Sequence, residues 1–133
     1  MKFIIAAALF ISLSSQNYTN PYDLNIKKIA ADVYVIYRPD HLRASVEGNV
    51  TVIINDDHIL VVDGSSAPAA AKNAIAHIKK LSSLPVKYLV NTHGHGDHTL
   101  GNEEYLKTYP GVQIICSLLY LEKISREYLL ALF

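Results

Sequence analysis

The chain is 133 residues long, 50% apolar, with 12 basic and 12 acidic side chains, which fits one globular unit and excludes a disordered or fibrous chain. The basic residues are scattered, with Lys27-Lys28 and Lys79-Lys80 the only adjacent pairs, so no positive stripe can follow a phosphate backbone and nucleic acid is not an expected partner. Cys116 is the single cysteine, which rules out an intrachain disulfide and a thiolate cluster; a metal here would be held by nitrogen and oxygen.

The N-terminal stretch MKFIIAAALFISLSSQ has one positive charge at Lys2, a largely apolar run from Phe3 to Leu13 and then small polar residues, the layout of a secretory signal. A buried first strand or helix is the alternative, but the run shows no alternation. The expectation is therefore a signal peptide at 1–16, cleaved between Ser14 and Asn17, and a secreted or periplasmic protein. The apolar run is too short to span a bilayer, so no stable membrane insertion is expected after cleavage. Residues 17–28 read as a linker and 29–133 as the domain.

DVYVIYR, ending at Arg38-Pro39, alternates as a strand does, and NVTVIIN and HILVVDG flank the turn-forming Asn55-Asp56-Asp57 as a hairpin. In SSAPAAAKNAIAHIKKLSS, Ser65 or Ser66 can cap, Pro68 suits a first turn, and Ala71, Ala74, Ile75, Ile78 and Leu81 share one helical face. VKYLVNT then reads as a strand buried on both faces. Strand, helix and strand make a βαβ unit, with polar residues at the strand end where open α/β sheets bind ligands. LGNEEYLKTYPG predicts a short helix stopped at Pro110-Gly111, and VQIICS a strand in which Cys116 is a small buried hydrophobe. LLYLEKISREYLLALF predicts a last helix with Leu121, Ile124 and Tyr128 along one side.

The chemistry concentrates in NTHGHGDHTLGN, residues 91–102, which holds three of the six histidines. Residues two apart face opposite sides of an α-helix, so His93 and His95 share a metal only on an extended strand end or loop. Gly94 and Gly96 tolerate positive φ and would let Asp97 and His98 turn inward as well. Imidazole and carboxylate without thiolate suit zinc, with manganese or iron as substitutes. His93 and His95 can start one metal centre, and Asp97 and His98 a second at the ~3.5–4 Å spacing of two-metal hydrolytic sites. Such a centre makes hydroxide available near neutral pH, and the matching reaction is hydrolysis. The alternative is a polar loop that binds no metal. Asp63 closes the strand ILVV next to this site; its carboxylate either accepts the free ring N–H of a ligating histidine or satisfies the turn before the helix. His41, His58 and His77 read as ordinary, non-ligating histidines.

At these residues the chain resembles the metallo-β-lactamase fold superfamily. The resemblance runs from about Ile29 to Ile115 and rests on VVDG followed by NTHGHGDHTLGN. It implies an α/β fold: the N-terminal half of an αβ/βα sandwich, with a mixed sheet and flanking helices. It further implies that His93 and His95 serve a first metal, that Asp97 and His98 serve a second, and that Asp63 is the first-motif aspartate. The H-x-H-x-D-H form is similar to the glyoxalase II-like and some lactamase-like branches. The implied protein is a zinc hydrolase acting on a small molecule, in which a metal-bound hydroxide attacks an ester, thioester, lactone or β-lactam carbonyl and Asp97 also serves catalysis by orienting the nucleophile or carrying its proton.

The family's domain has roughly 200 residues or more, and its second half supplies another histidine ligand, an acidic ligand and a final histidine. No histidine follows Asn102 in this chain. The resemblance therefore implies a truncated domain at 29–133 whose exposed sheet face would favour self-association. A non-catalytic metal-binding fragment or interaction module is the alternative.

Overall fold

A computed structural model of the protein describes residues 22–43 and 46–116. The expected signal segment and the expected last helix lie outside the described residues. Among the described residues six strands form one sheet in sequence order: β1 (Asn25–Ala30), β2 (Val33–Tyr37), β3 (Val50–Ile54), β4 (Ile59–Val62), β5 (Val86–Val90) and β6 (Gln113–Ile115). β1 to β4 pair antiparallel, whereas β4, β5 and β6 pair parallel. The sheet is mixed and the fold α/β, as expected.

Tight turns account for the antiparallel part. Asp32 turns β1 into β2 with φ of 55°, a left-handed conformation that aspartate tolerates better than most residues. The Asn55–His58 turn is closed by Asn55 N–H donating to His58 O at 2.9 Å. Strand β1 was not expected from the sequence: its NIKKIA carries one half-buried side chain, Ile26, and otherwise exposed ones, so periodicity could not reveal it. It is an edge strand made by its ladder to β2, and it takes in residues 25–28 of the expected linker.

The parallel part requires a crossover, and α1 (Pro68–Leu81) supplies it. Pro68 stands in the first turn as expected, but the serines do not cap. The cap position is Ala67, without a side-chain hydrogen bond, because Ser65 adopts φ of +86° inside the turn after β4. Ala70, Ala71, Ala74, Ile75 and Ile78 are buried, while Leu81 packs at the edge. Against this face the sheet presents Ile36, Val50, Val52, Ile59, Val61 and Leu89, all 0–1% exposed. The small alanines let the helix approach the sheet closely while the branched residues fill the space, an arrangement in which each Leu or Ile contributes about 1.5–3 kcal/mol.

A short turn of helix, α2 (Gly96–Thr99), and α3 (Asn102–Thr108) follow β5. Tyr105 of α3 is fully buried in the same core. By strand alternation Ile53, Leu60, Val62, Tyr88 and Val90 face away from α1, and each is half-buried. Cys116 is another correction. It follows the three-residue edge strand β6 and is half-exposed instead of buried, since a strand end at a sheet edge has cover on too few sides.

Candidate metal centre

The parallel strands β4 and β5 end side by side, Val62 opposite Val90, and the chain after each end turns toward the other. Asp63, with φ of +67°, directs its carboxylate across the gap while burying to 6% exposure. Thr92 donates its backbone N–H to Asp63 Oδ1 at 2.9 Å, and its hydroxyl lies 3.0 Å from both carboxylate oxygens. His98 Nδ1 lies 2.8 Å from Asp63 Oδ2. A carboxylate only accepts, so this contact puts the ring proton on Nδ1 and leaves the Nε2 lone pair free.

That free Nε2 faces Asp97 Oδ2 at 3.1 Å. Two lone-pair atoms that close call for a proton or a cation between them. A similar pair forms one step upstream, where His93 Nε2 lies 3.1 Å from His95 Nδ1. Thr92 Oγ1 occupies the other nitrogen of His93 at 3.0 Å. The rings of His93 and His98 are 4.1 Å apart between centroids, so the two donor pairs are neighbours. Two donors on one tetrahedral zinc stand about 3.3 Å apart, given metal–nitrogen bonds of about 2.0–2.1 Å. By donor chemistry and spacing each pair matches half of a zinc shell. Among the described residues, however, no three His, Cys, Asp or Glu side chains converge to hold one ion.

The backbone reaches this arrangement by a route the sequence did not predict. His93 and His95 stand on extended or bent chain, but Asp97 and His98 lie on α2, whose Leu100 N–H donates to Gly96 O at 3.0 Å. The helical turn, with His95 O accepting from His98 N–H and from the Thr99 hydroxyl, swings the second donor pair back over the first. Positive φ at Gly94 and Gly96 plays no part, since Gly111 is the only described glycine in that region.

Sequence reasoning also missed the residues that brace the loop. Gly48, just before β3, lies against it: a Cβ there would come within 2.6 Å of Asp97 O and 3.0 Å of His98 Nδ1. His98 O accepts from Gly64 N–H at 2.7 Å and from Asn91 Nδ2 at 3.1 Å. Glycine after an aspartate at a strand end and asparagines at both ends of a motif were the available signals, but each has ordinary turn explanations. Of the remaining histidines, His77 Nε2 bonds Leu24 O at 3.0 Å and His58 pairs with Asp57, while His41 is exposed.

Comparison with known proteins agrees with this architecture. The family model described as the metallo-beta-lactamase superfamily matches residues 45–131. A hydroxyacylglutathione hydrolase of Gloeobacter violaceus is 31% identical over 71 residues, which cover 48% of this chain and 28% of that protein. Among solved structures, a metallo-beta-lactamase from Pontibacter korlensis superposes with a TM-score of 0.62 at 22% identity, over 78% of this chain and 48% of that one. The mono-zinc form of FIM-1 from Pseudomonas aeruginosa gives 0.58 at 17% identity, over 73% and 43%. The structural likeness speaks for the fold, and the chain spans less than half the length of each of these proteins.

Proposed function

Since the chain belongs to the metallo-beta-lactamase superfamily, whose membership supports a metallohydrolase type of function, we propose that it hydrolyses a small-molecule carbonyl compound with metal held by His93, His95, Asp97 and His98. The observation that carries the proposal is the pair of adjacent donor couples, His93 with His95 and His98 with Asp97, each closing to 3.1 Å. Zinc is the ion this donor set suits best, with manganese or iron as substitutes; when bound, it supplies Lewis acidity and brings the pKa of its water toward roughly 7.

The chain's own residues do the rest. Asp63 accepts a hydrogen bond from His98 Nδ1–H, which fixes the tautomer and would leave Nε2 to hold the ion. Thr92 holds Asp63 in place and occupies the second nitrogen of His93. Asp97 binds metal and orients the attacking water or carries its proton. Further ligands come from outside residues 93–98. The substrate is an ester, thioester, lactone or β-lactam; the Gloeobacter relative's name points to a hydroxyacylglutathione, and the solved neighbours' names to β-lactams. Residues 1–16 act as an export signal, which places the mature chain outside the cytoplasm.

A second reading, a metal-binding module without turnover, is favoured by the absence of a three-donor group among the described residues. Elemental analysis coupled to size-exclusion chromatography, followed by assay against S-hydroxyacylglutathione, lactone, β-lactam and phosphoester substrates, separates the two. About two zinc ions per chain with turnover supports the hydrolase. Zinc without turnover on any of them supports the module, and a folded chain that takes up no zinc overturns both.

A further inference from the structure

The stretch 91–102 begins and ends with asparagine, and the two side chains meet. Asn102 Nδ2 donates to Asn91 Oδ1 at 2.7 Å, and Asn91 Nδ2 donates back to Asn102 Oδ1 at 3.3 Å. The second Asn91 Nδ2 hydrogen goes to His98 O at 3.1 Å. Asn91 is 4% exposed and Asn102 half-buried, so the Asn91 amide makes its bonds largely away from water, where leaving one unmade is costly. Their reciprocity also fixes the orientation of both amides, because turning either one over would set donor against donor.

We propose that Asn91 and Asn102 are positioning residues, a part-buried amide clasp that closes the ends of the 91–102 loop and sets it in ligand-presenting shape before metal arrives. The inference rests on the metal-centre reading above and deepens it. Two further observations support it. His98 O is gripped twice, by Asn91 Nδ2 and by Gly64 N–H at 2.7 Å, so the backbone of one proposed ligand is fixed independently of its ring. The surroundings leave no slack: a Cβ on Gly64 would come within 2.0 Å of Asn102 Oδ1, and one on Gly101 within 2.0 Å of Gly64 O. The turn after β4 and the far end of the loop thus interlock through two positions where only glycine fits, and the clasp lies in that joint.

The test uses the full chain with two readouts, amide hydrogen exchange after chelator treatment and zinc affinity by competition with a chromogenic chelator. The variants are Asn102→Ala, Asn91→Ala and the double variant. Asn102→Asp is added because it keeps the acceptor for Asn91 Nδ2 but replaces the donor to Asn91 Oδ1 with a charged carboxylate oxygen. Val52→Ala, in the sheet core outside the loop, controls for general loss of stability. The clasp predicts that each single variant speeds exchange of the 93–98 amides by about tenfold or more relative to α1. It also predicts zinc affinity weaker by about 10- to 100-fold, and a double variant no worse than the singles because they act as one unit. Val52→Ala should lower the melting temperature and leave zinc affinity unchanged. Unchanged loop exchange in both Asn102 variants overturns the clasp, as does an equal affinity loss in Val52→Ala. A folded wild-type chain that binds no zinc overturns the metal-centre reading, and with it the clasp's role in presenting ligands.

Discussion

Asp63 Oδ2 and His98 Nδ1 stand 2.8 Å apart although 35 positions separate them in the chain. The parallel pairing of β4 with β5 creates this contact, by ending both strands at the same level of the sheet. Asp63→Asn replaces a pure acceptor with an amide that can present a donor to the same nitrogen, so the ring loses its tautomer preference. Zinc affinity should fall about 10- to 100-fold, read by chelator competition, with the fold retained by circular dichroism. Wild-type affinity in the variant would remove Asp63 from the site.

Asp97→Ala removes one of the four proposed ligands and the proposed proton carrier together. Turnover should fall to background while expression and fold persist, because Asp97 lies on the half-buried short turn α2, outside the hydrophobic core of the described residues. Chelation of the wild type should abolish turnover likewise, with zinc restoring it. Readdition at about 100 times the dissociation constant should stabilise the fold by roughly 2.7 kcal/mol in urea titrations. Activity retained by Asp97→Ala would sink its catalytic role.

Gly48→Ala tests the contact between the β2–β3 segment and the site. The new methyl would meet the backbone oxygen of Asp97 at 2.6 Å and the imidazole of His98 at 3.0 Å, and backbone yields only by moving the loop. Metal affinity should drop by about tenfold or more, with the melting temperature falling by a few degrees. An unchanged affinity would show that the segment moves away freely.

Tyr105 is buried with a hydroxyl that has no partner among the described residues, and burial raises its pKa above the ordinary value of 10.0. The neutral form is the one the fold keeps, so its contribution is intact below pH 10. Above pH 10 the unfolded chain loses a proton that the folded one retains, and stability falls by up to about 1.4 kcal/mol per pH unit. Tyr105→Phe should remove that part of the alkaline loss and raise neutral-pH stability by about 1 kcal/mol by eliminating a buried unsatisfied group. Urea melts of both proteins between pH 8 and about pH 11 decide it; parallel pH profiles would contradict the assignment.

Leu89 of β5 is 0% exposed beneath α1, three residues before the site-bracing Thr92. Leu89→Ala should cost about 2–5 kcal/mol from lost transfer energy and the cavity left behind, measured by chemical denaturation. A loss under about 1 kcal/mol would mean that the core relaxes around the gap.

The sequence by itself determined the elements whose pattern is local. Alternation in VYVIY, VTVII and ILVV, the helical face of PAAAKNAIAHIKKL and the donor-rich HGHGDH follow from side-chain period and donor chemistry, and each is present. Strand β1 was not legible because an edge strand with one half-buried residue carries almost no periodicity and exists by pairing alone. The half-exposure of Cys116 depends on its place at the sheet edge, which an apolar run does not disclose. Tertiary structure alone decided how the donors are deployed: a helical turn and not a glycine hinge brings Asp97 and His98 over His93, Asp63 reaches His98 from 35 residues away, and the Asn91–Asn102 pair closes the loop. Periodicity records which face of one element is buried, whereas a hydrogen bond between elements depends on sheet register and on where two strands end, and those are fixed only when the whole sheet assembles.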